Sequence, residues 1–98
     1  MLYAVFFTDN PAQTAERQRL MPAHLNFLEH HGDRIRAAGP LRDAGTGEPA
    51  GGLWLVEAKS AEDVVALYQH DPFWPTGLRQ SVRVLEWKQV FADGRRKV

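Results

Sequence analysis

Apolar residues in this chain fall into short runs with a period of two and longer stretches with a helical period. Leu2 to Thr8 is rich in aromatic and β-branched residues and stops at Asp9-Asn10-Pro11, which predicts a first strand. From Gln13 to about His31 the period changes. Leu20, His24, Phe27, Leu28 and His31 then share one face of a helix, with Glu16, Arg17, Arg19, Asn26, Glu29 and His30 on the others. Pro22 lies inside this segment, so it must kink the helix or open its second half. Gly32 is placed to close it as a left-handed cap.

Arg34 to Leu41 reads as a short extended stretch ended by Gly39-Pro40, and Asp43 to Gly52, with four glycines and a proline, as a loop. Leu53 to Glu57 is a further strand. Ser60-Ala61-Glu62-Asp63 is a capping box, with Ser60 capping the helix and Asp63 reaching back. The helix behind it carries Ala61, Val64, Val65 and Tyr68 on one face and ends at His70-Asp71-Pro72. Phe73 to Leu78 is a loop, and Ser81 to Phe91 alternates as a final strand. Asp93 to Val98 is expected to be a frayed, solvated basic tail. The domain is therefore drawn over residues 1–92, with the tail over 93–98.

The order β-α-β-β-α-β predicts a ferredoxin-like α+β fold, an antiparallel sheet with both helices on one face. The other sheet face is then bare, and alternation sends some of Tyr3, Phe6, Phe7, Trp54, Trp87 and Phe91 onto it. A homodimer formed sheet against sheet is the expected way to cover it.

Composition narrows the function. Lys plus Arg and Asp plus Glu balance at twelve each, which argues against electrostatic capture of nucleic acid or an anionic membrane. With no cysteine there is no disulfide framework, thiolate nucleophile or cysteine-ligated metal. The 98 residues suffice for one core that buries roughly 60 to 70% of the unfolded surface. The apolar start, Met1 to Phe7, has no basic residue before it and is too short for a signal peptide or a membrane span, so a cytoplasmic protein is expected.

Phosphate-cradling loops, nucleophile elbows, zinc-protease helices and calcium loops are all missing. None of Thr8, Thr14, Thr46, Ser60, Thr76 and Ser81 stands in a nucleophile context. His24 has two readings: a core histidine satisfied by a backbone carbonyl, or a general acid–base, since imidazole titrates nearest neutral pH. Helix position alone favours the first. Asp71 reads as a turn residue bonding its own backbone. Yet its charge beside a helix C-terminus needs an offsetting partner, and His24 would serve. His24 and His31 lie roughly 10.5 Å apart along the helix axis, too far to share a metal. His30 and His31 suit the helix dipole, and Arg17 and Arg19 read most simply as solvated. Trp54, Trp74 and Trp87 read as packing residues, with Trp74, flanked by prolines, a candidate pocket lid.

Four segments together resemble the YciI-like (YCII-related) proteins: Pro22-Ala23-His24-Leu25, Ala38-Gly39-Pro40, Asp71-Pro72-Phe73 with Gly77, and Trp87-Lys88-Gln89-Val90-Phe91. The likeness runs from Met1 to about Phe91. It implies a ferredoxin-like fold dimerised as an α+β barrel and an active site built on a His–Asp pair, here His24 and Asp71. Arg17 matches a position where the family often has arginine. Met21 stands where many members have a second arginine, so an anion held there would lose its partner.

The resemblance implies a lyase or isomerase that uses no metal or organic cofactor. In it Asp71 orients, His24 moves a proton on a small ring compound, Arg17 binds substrate, and Phe73 and Trp74 exclude water. The alternative is a non-catalytic dimeric ligand-binding or accessory protein in which the pair is structural. An oxygenase-like dimer on the same barrel is a weaker third reading.

Overall fold

The computed structural model describes all 98 residues, and its centre is the strand predicted first. β1 (Leu2–Asp9) pairs antiparallel with β3 (Pro49–Glu57) on one side and with β4 (Arg79–Glu86) on the other. β2 (Ile35–Arg42) pairs with β3, giving the order β2-β3-β1-β4. With α1 (Thr14–His30) between β1 and β2, and α2 (Ala61–Tyr68) between β3 and β4, this is α+β and consistent with a ferredoxin-like fold.

Alternation divides the sheet. Tyr3, Val5 and Phe7 of β1 with Trp54 and Val56 of β3 form one core with Ile35 and with Val64, Leu67 and Tyr68 of α2. Phe27 and Leu28 of α1 pack against it. The alternate positions face away, and Phe6 and Leu85 there stay 40% and 38% exposed.

α1 runs unbroken through Pro22. Proline removes one N–H bond to the carbonyl four residues earlier, here Gln18, but both residues are exposed and water can take that carbonyl. Gly32 does not take the left-handed conformation expected of it. Instead Arg34 N and Ile35 N both bond the His31 carbonyl, so a turn ends the helix without a positive φ. Ser60 caps α2 by accepting from the Asp63 N–H at 3.2 Å, and the reciprocal bond from Asp63 is not made.

Expectations for the loop, the last strand and the tail were also wrong. The loop expected over Asp43–Gly52 is shorter, because β3 already begins at Pro49. Gly51 lies in that strand at φ +88°, where an added Cβ would sit 1.9 Å from the Phe7 carbonyl oxygen. Gly51 serves close backbone approach, not loop flexibility. The final strand stops at Glu86, and the tail expected to fray forms a hairpin instead. β5 (Phe91–Ala92) pairs with β6 (Arg95–Arg96) across Asp93-Gly94, both at positive φ. Asp-Gly is the preferred pair for such a two-residue turn, and it cuts the boundary drawn at residue 92.

Candidate active site

Three pieces of backbone meet at one end of the sheet: the middle of α1, the segment after α2, and the facing ends of β1 and β4. Helical spacing turns His24 inward, where it is buried at 6% exposure. After α2 the chain turns through Asp71-Pro72-Phe73 into a short 3-10 turn, Trp74–Thr76, which Gly77 closes in the left-handed conformation. Leu78 is buried, and its carbonyl accepts from Asn10 N at 2.7 Å, tying this segment to the end of β1.

That path delivers Asp71, 3% exposed, to His24. Its Oδ1 lies 2.8 Å from His24 Nδ1 and also accepts from the Phe73 backbone N–H at 3.3 Å. The turn role and the partner role of Asp71 are thus one geometry. A carboxylate cannot donate, so the imidazole carries a proton on Nδ1 toward it. Nε2 then has no hydrogen-bond partner within the chain, and His24 lines a cleft of about 110 Å³. The cleft wall also includes Met21, Leu25, Pro40, Gly52 and Trp54, with Arg17 and Arg79.

Phe73 is fully buried behind the histidine. Its ring stacks on the imidazole at 4.1 Å and 15° and holds the ring plane. It supports the histidine and does not line the cleft. Trp74 lies elsewhere, packed on Tyr68 at 4.9 Å, so the structure does not bring it to the cleft.

Arg17 reaches the cleft but is not free in solvent. It pairs with Asp9, and its guanidinium lies 5.6 Å from the centre of the Phe73 ring. Arg19, by contrast, is exposed and pairs with Glu16 on its own helix.

Arg79 and Asp9 were missed in the sequence. Asp9 accepts from both Arg17 and, at 2.9 Å, from Arg79 Nη1. The Arg79 guanidinium lies between two rings, 4.4 Å from Phe7 and 5.3 Å from Phe73. Burial lowers its pKa from the usual arginine value, while Asp9 and Asp71 act the other way. The bulge between Thr8 and Asp9 is what brings these two residues opposite each other. No group of three or more His, Cys, Asp or Glu side chains comes together as a metal site.

The cleft opens past Arg17 and Pro40, which line both it and an outer groove of about 750 Å³. The groove runs between the start of α1 and the β2–β3 hairpin, with Thr14, Arg42 and Glu48 on its walls.

Residues 1–88 match the family model of the YCII-related domain. The chain belongs to this family. Protein YciI of Escherichia coli O6:H1 and Protein YciI of Shigella flexneri are each 30% identical to it, over 93% of this chain and 100% of theirs. Among solved structures, the 5-chloro-2-hydroxyhydroquinone dehydrochlorinase of Burkholderia phenoliruptrix AC1100, in complex with 2,5-dihydroxybenzoquinone, is similar at TM-score 0.78 and 33% identity. The match covers 90% of this chain and 94% of that one. For the YCII-related chain described here, no helix is long and apolar enough to cross a membrane.

Proposed function

We propose that this protein is a lyase- or isomerase-type enzyme acting on a small ring compound, with His24 as the proton-transfer residue. One observation carries the reading. A buried imidazole is held at Nδ1 by a buried carboxylate, while its Nε2 is left without a partner beside a cleft. A general base needs that arrangement: one nitrogen fixed so that the other is unprotonated and aimed. The dehydrochlorinase likeness supports the reaction class.

In such an elimination Nε2 takes a proton from a ring carbon or hydroxyl. The electron pair left behind forms the new double bond, and the leaving group departs with its own bonding pair. Asp71 orients the imidazole and stabilises the imidazolium that forms, and Phe73 fixes the ring plane. Arg17 sits where the inner cleft meets the outer groove and would contact the substrate as it passes inward.

The working unit in this reading is a homodimer, an α+β barrel closed by the sheet face that carries Phe6, Leu53, Leu55 and Leu85. Exposed Phe6 and Leu85, with half-buried Leu53 and Leu55 beside them on a four-stranded face, are its support.

The test is chloride release from 5-chloro-2-hydroxyhydroquinone and a small panel of halogenated hydroxyquinols. Turnover is expected in the wild type, with His24→Ala reduced by about a hundredfold or more, in the range usual for a removed general base. Asp71→Asn should fall less far. Equal turnover in all three proteins would leave the pair a structural feature, and no turnover of any panel compound by wild type would favour the binding-protein reading.

A further inference from the structure

Arg79 Nε is the one buried side-chain nitrogen or oxygen in the structure that has no hydrogen-bond partner. Leaving a buried donor unpaired is costly, and more so on a charged group. The geometry around it is that of a binding edge. Nη1 is committed to Asp9, which leaves the Nε–Nη2 edge without a bond. That edge is the one a guanidinium uses to hold two oxygens side by side.

The group is also held still. Phe7 and Phe73 flank it, and its side chain is 3% exposed. Gly52 makes room for it, since a Cβ there would stand 3.3 Å from Nη1. Arg79, Gly52 and His24 line the same cleft, whose helix wall carries apolar Met21 and Leu25 and, at its outer end, Arg17, already paired with Asp9.

We propose that Arg79 is the anion-binding residue of this cleft, gripping through Nε and Nη2 an anionic substrate that presents two oxygens side by side. An ionised hydroxyquinone, whose charged oxygen lies next to a carbonyl oxygen on the ring, and a carboxylate both have that chemistry. The proposal rests on reading the cleft as the substrate site. It adds that the substrate enters as an anion, and that charge developing on its oxygens during proton removal is met by Arg79 while the proton goes to His24.

The experiment follows the Arg79 Nε–H resonance of the wild-type protein, assigned through its correlations to the Arg79 backbone, during titration with three probes. These are 2,5-dihydroxybenzoquinone as the ionised quinone, benzoate as the carboxylate, and hydroquinone as a neutral ring of similar size. The expected result is a downfield proton shift with one or both anions and none with hydroquinone. The anion that produces the shift identifies which source of the oxygen pair the cleft takes. In parallel, Arg79→Lys keeps the charge but loses the edge, and should weaken binding of that anion by about tenfold or more.

Unchanged affinity in Arg79→Lys, or hydroquinone binding as well as the anions, would overturn the proposal. So would an unmoved Arg79 signal while the His24 ring signals shift, although the substrate-site reading would then survive. If no probe moves either residue at millimolar concentration, both readings fall. A shifted Arg79 signal with full turnover in His24→Ala would instead remove the proton-transfer reading and leave the anion site standing.

Discussion

Removing the Asp71 carboxylate separates what it does for the fold from what it does for His24. In Asp71→Ala two donors lose their acceptor at once, His24 Nδ1–H at 2.8 Å and the Phe73 N–H at 3.3 Å. Both lie in a region from which water is excluded, since Asp71 and Phe73 are 3% and 0% exposed. A buried hydrogen bond to a charged group contributes about 1.5 to 3 kcal/mol, and an abandoned buried donor costs about 1 to 3 kcal/mol. Together these put Asp71→Ala about 3 to 5 kcal/mol below wild type, a large part of the roughly 5 to 15 kcal/mol that holds a domain folded. Asp71→Asn keeps an oxygen where Oδ1 stands, so both bonds can persist without charge assistance, at about 1 to 2 kcal/mol. Urea unfolding followed by tryptophan fluorescence, with Trp54 buried in the core, measures both losses. The reasoning fails if Asp71→Ala unfolds within about 1 kcal/mol of wild type, or if the asparagine costs as much as the alanine.

Other positions give independent expectations. Gly51→Ala forces a Cβ to within 1.9 Å of the Phe7 carbonyl oxygen at φ +88°, a clash with backbone that no side chain can relieve. A loss of about 3 kcal/mol or more in urea melts is expected, and a loss under about 1 kcal/mol would contradict the β1–β3 geometry. His31 is held below its usual pKa by burial, by Arg34 and His30 and weakly by His70, with Asp33 opposing, and its Nδ1 accepts from Arg34 Nη2 at 2.8 Å. The fold therefore favours the neutral ring, so stability should decline as pH drops through about 6.5 and level off below the folded value. His31→Gln should lose less between about pH 7.5 and pH 5.5 than wild type does, and parallel losses would exclude His31 as the source. If the open sheet face joins two copies, wild type should sediment at about twice its 11.1 kDa and Leu85→Glu near the single mass, both with native circular dichroism. A wild type that sediments as a single chain would remove the barrel from the functional reading.

An inward His24 and a turn-forming Asp71 were legible because those signals are local, whereas their role as a pair rested on the resemblance to the YciI-like proteins. A histidine on an apolar helical stripe must point inward, and an acidic residue in Asp71-Pro72-Phe73 must turn the chain, so each side chain's direction follows from its neighbours. The strands over Leu2–Thr8 and Leu53–Glu57 were legible for the same reason. Where glycine served something other than flexibility, local reading failed. Gly51 and Gly52 looked like loop residues, and only contacts across the sheet explain them: the Phe7 backbone for Gly51 and the Arg79 guanidinium for Gly52. The Asp93-Gly94 hairpin was a local signal that the basic run after it obscured.

Arg79 was illegible for a deeper reason. Regular pairing from Phe7–Val82 and Thr8–Ser81 would set Asp9 opposite Gln80, and alternation would put Gln80 on the helix side with Arg79 turned away. The bulge at Thr8/Asp9 shifts the register by one, and Asp9 meets Arg79 instead. One extra residue thus exchanges an amide for a guanidinium at the helix side of the sheet, leaving Gln80 exposed and Arg79 buried. A bulge disrupts a ladder and leaves a residue imperfectly paired, so it persists where the redirected side chain is worth more to the protein than the lost regularity. Here it carries a charge inward beside His24, then leaves that charge only half neutralised in hydrogen-bonding terms, with Nη1 on Asp9 and Nε on nothing. A structural ion pair would complete its bonds within the chain. A buried guanidinium edge left without a partner, on a residue that lines the cleft beside His24, is what a site for an incoming anion requires.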